Sequence, residues 1–127
     1  MAVIDTDTVN WETDVEKAEL PVVVMYHSPS CPHCQTIMPH FEEIAKNYED
    51  AVRFVRLDVT ANVWIAERYG IMATPAFSVF CHGTKVMEMT GAAYPAMLER
   101  MIEDSISKSS ECAMKSTRIN WDVTGYA

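Results

Sequence analysis

The sequence predicts an α/β protein whose central mixed sheet of four to five strands carries helices on both faces. Three observations predict it. Short runs rich in β-branched and aromatic residues alternate with stretches of helical spacing. The run Val22 to Tyr26 is apolar at every position, as in a strand covered on both sides. Two later strand-like runs are joined by His82-Gly83, a tight connection that adds an antiparallel hairpin to an otherwise parallel arrangement.

The elements follow in order. Residues 11–19 set Trp11, Val15 and Ala18 among five charged residues at helical spacing, which predicts a short helix before Pro21 opens the first strand. From Pro32 onward, Ile37, Phe41, Ile44, Ala45 and Tyr48 fall on one stripe of a long helix, with Pro39 expected to kink it. Val52 to Val59 reads as a second strand, and a right-handed crossover makes it parallel to the first. Residues 61–69 form a short helix with Val63, Ile65 and Ala66 inward and Gly70 at its exit. Pro75 introduces the strand Ala76 to Phe80, the hairpin returns through Lys85 to Met89, and Gly91 ends it. Tyr94, Met97, Leu98, Met101, Ile102 and Ser105 then mark the inner face of a final helix reaching about Ile106.

The domain is expected to span residues 1–106. Residues 107–127 form a C-terminal extension, packed on the domain or partly disordered. Ile119, Trp121 and Val123 alternate with Asn120 and Asp122, which reads as a docked extra strand. Cys112 follows the last helix closely enough to meet Cys81.

The 127 residues suit one domain, and 49% apolar residues suffice for a core without disulfide staples. Eighteen acidic against ten basic residues give a net charge of −8, which disfavours nucleic acid and anionic membrane surfaces as partners. No run approaches the ~18 apolar residues of a spanning helix. The opening MAVIDTDTVN has neither the cationic nor the apolar region of a signal peptide, so a cytoplasmic, monomeric protein is expected. Four cysteines are too few for a disulfide scaffold, so their spacing carries the information.

Cys31-Pro32-His33-Cys34 lies where the buried strand gives way to the long helix. Free amide donors and the helix dipole stabilise a thiolate there, making Cys31 the nucleophile. Cys34 stands one turn later on the same face, placed to attack the mixed disulfide and resolve it. His33 beside the thiolate tunes its stability, and Pro32 at the first helical position rigidifies the turn without wasting a donor. A zinc site needs about four ligands, and Cys81 and Cys112 are isolated, so neither metal nor cofactor is expected. An inert buried pair fits this strand-to-helix junction poorly.

With these residues in place, the chain over residues 9 to about 106 resembles the thioredoxin family. The resemblance rests on the Cys31/Cys34 pair, Pro39 five residues beyond it, Gly70-Ile71 ahead of Ala73-Thr74-Pro75, the His82-Gly83 hairpin and Gly91 after the last strand. It implies a thiol-disulfide oxidoreductase on a thioredoxin fold, with a cis proline at Pro75. It also implies that Thr74 and Pro75, with Gly91, dock an extended substrate segment. Disulfide-containing proteins would be the substrates and a flavin-dependent, thioredoxin reductase-like enzyme the electron donor.

The chain departs from the ordinary family pattern at several places. Ser30 replaces the tryptophan before the first cysteine, Pro-His replaces Gly-Pro, and Met25 occupies the position of a buried aspartate. An atypical thioredoxin is therefore implied. The Pro-His pair resembles that of the DsbA-type periplasmic oxidases, although the connection from Asp58 to Thr74 has no room for their helical insertion. A protein disulfide reductant is the leading expectation, with a DsbA-type dithiol oxidase or isomerase, or a non-catalytic redox-sensing binding module, as alternatives. His27 shares a strand face with Met25 and is a candidate proton acceptor for Cys34, beside the plainer reading of a hydrogen-bonded structural histidine. Arg56 is expected to pair with a local carboxylate such as Asp58 or to carry a solvated head on a buried stem.

Overall fold

The computed structural model describes residues 3–91 and 94–107. Five strands, β1 (Val3–Thr6), β2 (Val22–His27), β3 (Arg53–Asp58), β4 (Ala76–Cys81) and β5 (Thr84–Thr90), lie in the order β1-β3-β2-β4-β5. The first three are mutually parallel, and β4 and β5 are antiparallel additions at the other edge. Among the described residues, three α-helices, α1 (Pro32–Tyr48), α2 (Val63–Arg68) and α3 (Pro95–Ser107), and a π-helical turn at Glu12–Glu16 complete the fold.

Sheet periodicity divides the core into two layers. Val23, Met25, Phe54, Phe77 and Val79 face α1 and α3, packing against Cys34, Ile37, Phe41, Leu98 and Ile102. Val22, Val24, Tyr26, Val55, Leu57 and Phe80 face the opposite way, against Trp11, Val15 and Ile65. Double coverage is why Val22 to Tyr26 is apolar throughout: each residue is at most 1% exposed. Phe41 anchors the first layer, its ring 5.6 Å from Phe54 and 5.8 Å from Phe77. Removing a ring from such a site costs about 3–5 kcal/mol, so Phe41 is a principal contact between α1 and the sheet.

The parallel pairing sends the C-terminal ends of β1, β2 and β3 to one end of the sheet. Register partners Tyr26 and Ala76, then Ala76 and Thr90, bring the start of β4 and the end of β5 to the same place. The chain therefore leaves β2 for α1 beside the point where it enters β4. At the far end of the hairpin, His82 and Gly83 both take positive φ, 51° and 84°, the pairing that a two-residue antiparallel turn requires. A Cβ on Gly83 would lie 3.2 Å from the Glu16 carbonyl oxygen, so glycine also lets the hairpin approach residues 12–16.

The structure departs from the sequence expectations in three places. Val3–Thr6 is an edge strand that the sequence reading passed over, because its buried, exposed, exposed, buried pattern lacks the alternation of a half-buried strand. The helix expected over 11–19 is a five-residue π-helical turn, Glu12–Glu16, although Trp11, Val15 and Ala18 are buried as the spacing requires. Val63, Tyr94 and Met97, expected to face inward, are exposed, because α2 is only six residues long and α3 begins after Tyr94. α1 continues through Pro39 to Tyr48. Cys112 and the strand expected around Trp121 lie outside the described residues. Among the described residues, no helix is long and apolar enough to cross a membrane.

Candidate active site

Cys31 is the N-cap residue of α1. Its extended backbone (φ −92°, ψ 107°) turns the chain from the Ser28–Ser30 loop into the helix, and Pro32 occupies the first position, where no amide hydrogen is needed. The Cys34 amide donates to Cys31 Sγ at 3.2 Å. A cysteine sulfur thus occupies the place that a serine or aspartate oxygen takes in an ordinary cap, facing the positive end of the helix. Cys31 and Cys34 are joined as a disulfide with Cα atoms 5.2 Å apart. Cys31 is 8% exposed and Cys34 only 1%, so the two sulfurs differ in access. Pro32 and His33, between them, are exposed.

The second wall is built where β4 begins. The Thr74–Pro75 peptide bond is cis. The Pro75 carbonyl accepts a hydrogen bond from the Gly91 amide at 2.9 Å, tying the entry to β4 to the exit from β5. Gly91 has φ +98°, a conformation strained for any residue with a Cβ. Thr74, Pro75 and Gly91 are thereby brought together at the end of the sheet that carries the dithiol.

Beneath the dithiol, Met25 is fully buried in the same cluster as both cysteines. His27 extends that face of β2 to the sheet end, opposite Asp58 in register. Partial burial holds the His27 pKa below its ordinary value, while the Asp58 carboxylate opposes that shift and the Arg56 cation adds to it. Asp58 itself accepts from the Thr60 hydroxyl at 2.7 Å and the Thr60 amide at 2.9 Å, and these bonds hold its carboxyl below the usual range.

Arg56 does not pair with Asp58. Its fork meets Asp5 on β1, Nε to Oδ1 at 2.6 Å and Nη2 to Oδ2 at 2.9 Å, because Asp5 and Arg56 are register partners whose side chains share one face. Asp58, two residues along β3, is occupied by Thr60. Sequence reasoning missed Asp5 because it missed β1. It also missed Asn62, a buried residue whose Oδ1 accepts from both the amide and the hydroxyl of Thr8, each at 2.9 Å, while Nδ2 donates to the Asp58 carbonyl at 2.9 Å. No local pattern announces such a residue; only the meeting of β1, β3 and α2 creates its role. Among the described residues, no group of three or more His, Cys, Asp or Glu side chains is placed to hold a metal ion.

A buried sulfur pair at a helix start, at the same end of the sheet as a cis proline, is the geometry of a redox site. The family profile that matches the chain, over residues 2–104, is Thioredoxin. The chain is 34% identical to thioredoxin C-2 of Corynebacterium nephridii over 82% of its own length and 96% of that protein. It is 33% identical to a thioredoxin of Synechocystis sp. over 74% of this chain and 88% of that one, and 30% identical to a thioredoxin of Porphyra purpurea over 84% of this chain and all of the other. The chain belongs to the thioredoxin family and is a thiol-disulfide oxidoreductase.

Proposed function

We propose that the chain works as a reductant of protein disulfides, with Cys31 as nucleophile and Cys34 as resolving thiol. The observation that carries this reading is the amide of Cys34 aimed at Cys31 Sγ, because a donor at a helix start stabilises a thiolate. In the reduced protein, the Cys31 thiolate attacks one sulfur of the substrate disulfide. That bond breaks, the departing sulfur takes a proton, and a mixed disulfide forms. Cys34 then loses its proton and attacks Cys31 Sγ, releasing the second substrate thiolate, so that two electrons have passed from the dithiol to the substrate.

Thr74, Pro75 and Gly91 serve as the docking edge for the substrate backbone, a role supported by their convergence around the Gly91 to Pro75 hydrogen bond. His27 accepts the Cys34 proton. Burial favours its neutral form near pH 7, and Met25 offers no base at its own position. His33 tunes the couple and Pro32 fixes the turn. A flavin-dependent, thioredoxin reductase-like enzyme returns electrons to the disulfide, and the monomer works in a reducing, cytoplasmic compartment.

A second reading, a dithiol oxidase, is supported by one observation: the exposed Pro32-His33 pair stands at the helix start, where a histidine able to donate to the thiolate would stabilise the reduced form. The insulin-precipitation assay with dithiothreitol tests the first reading. The wild-type chain should accelerate precipitation severalfold, and Cys31→Ser should abolish the acceleration. A trace equal to that variant's would leave only a redox-sensing module. A dithiol potential near that of DsbA, about −120 mV, would transfer the conclusion to the oxidase.

A further inference from the structure

A single row of residues crosses the sheet beneath α1. Asp5 on β1, Arg56 on β3, Met25 on β2 and Phe77 on β4 are successive register partners, so their side chains share the face that carries the dithiol. Above this row, Cys34, Met38 and Glu42 repeat at four-residue spacing along one stripe of α1. Arg56 bridges the two layers. Its Nη1 donates to Met38 Sδ at 3.1 Å and lies 3.7 Å from Glu42, while Nε and Nη2 grip Asp5. The guanidinium therefore lies against the turn of α1 that follows Cys34, and Met25, its neighbour in the row, packs in one cluster with both cysteines.

This places a permanent cation, on a side chain only 22% exposed, about one helical turn from the resolving cysteine. The position on β2 that faces Arg56 holds a thioether, so the counter-ion comes from the neighbouring edge strand, and Asp5 is 65% exposed. Glu42, half in solvent, is the weaker second partner. The remaining titratable groups near this cation are His27 at the end of β2 and Asp58 at the end of β3.

We infer that Arg56 is a positioning residue for the redox couple, that its charge favours the thiolate at the Cys31/Cys34 site, and that Asp5 on β1 sets how much of that charge the dithiol receives. The inference deepens the redox reading and rests on it. Its physics has one sign. The disulfide is neutral and the reduced site carries negative charge, so a nearby cation stabilises the reduced form and makes the protein more oxidising. A carboxylate that neutralises the cation does the reverse. The charge of Asp5, a residue on a four-residue edge strand, thereby becomes part of the active site without touching it.

The test compares Asp5→Asn, Arg56→Met and Arg56→Lys in the full chain, each equilibrated with reduced and oxidised glutathione. Asp5→Asn should shift the equilibrium toward the dithiol, and Arg56→Met toward the disulfide, each by roughly three- to tenfold, tenfold being about 30 mV for a two-electron couple. Arg56→Lys should restore most of the wild-type value, and adding Glu42→Gln to Asp5→Asn should enlarge its shift. In a Cys31→Ser background, Cys34 should ionise at lower pH with Asp5→Asn and at higher pH with Arg56→Met.

Opposite directions are the discriminating feature. A pair with only a structural role would lower the Tm of both variants and leave both equilibria within twofold of wild type. That result, or a shift of both in the same direction, would overturn the inference while leaving the redox function standing. A wild-type chain that never equilibrates with glutathione would remove the redox reading and this inference together.

Discussion

His27 is the titratable residue on the β2 face that buried Met25 shares, and its environment makes a prediction of definite sign. Burial lowers its pKa from an ordinary value of about 6.5, the Asp58 carboxylate opposing and the Arg56 cation assisting. The unfolded chain takes up a proton at this residue before the folded one does. Stability therefore falls as pH drops below about 6.5 and levels off once pH has passed the folded-state pKa. The window stands apart from the carboxylates, since Asp5 and Asp58 are both held below their ordinary 3.8. Urea titrations of the oxidised protein at pH 7.5, 6.5 and 5.5 should show a progressive loss for the wild type and a flatter profile for His27→Gln. Parallel profiles would show that burial does not hold His27 neutral. At this scale, Cys31 and Cys34 were legible from spacing alone, because one helical turn between sulfurs is a local fact. The Asp5–Arg56 pair was not, because its partners lie 51 residues apart and meet only through strand register.

Whole elements were legible in proportion to their length and periodicity. α1 runs from Pro32 to Tyr48 with Ile37, Phe41, Ile44 and Ala45 buried, as the stripe in the sequence requires. α3 was found with its outer residues misassigned, because Tyr94 precedes its first turn. β1 was missed: four residues are too few to establish a period, and it is joined to the rest by its ladder with β3, by the Asp5–Arg56 pair and by the Asn62 bonds to Thr8 just beyond it. Asn62 is thus the clasp between β1, β3 and α2. Asn62→Ala removes three hydrogen bonds made by a buried side chain, although exposed Thr8 can turn its donors to water, at a cost of about 1–2 kcal/mol. The urea midpoint should fall accordingly, and the amides of Val3–Thr6 should lose exchange protection ahead of those in β2. Uniform loss of protection across the sheet would show that the Asn62 bonds do not hold β1.

For the molecule as a whole, the distribution of apolar surface and charge implies how a substrate is met. Of the nine large apolar side chains exposed among the described residues, Val9, Val63, Trp64, Met72, Tyr94 and Met97 belong to segments at or leading to the dithiol end of the sheet. Trp64 is 70% exposed, Tyr94 72% and Met72 95%, and Met72 stands in the segment that leads into Thr74–Pro75. These side chains stand on segments at the end of the sheet that holds Thr74, Pro75 and Gly91, on a chain of net charge −8. The two features act at different ranges. Charge acts during approach and is screened beyond about 10 Å at 0.1 M salt, whereas apolar contact acts after docking. A cationic peptide disulfide should therefore be reduced faster than an anionic one of the same sequence length, with the two rates converging as salt is raised to about 0.5 M. Trp64→Ala should lower kcat/KM for a protein disulfide by about tenfold, the usual cost of truncating a buried aromatic anchor, and leave a small aromatic disulfide unaffected. Its salt slope should match the wild type, because no charge has changed. A Trp64→Ala variant that slows both substrates equally would place Trp64 in the stability of α2, and a salt-independent preference between the two peptides would mean that the net charge plays no part in approach.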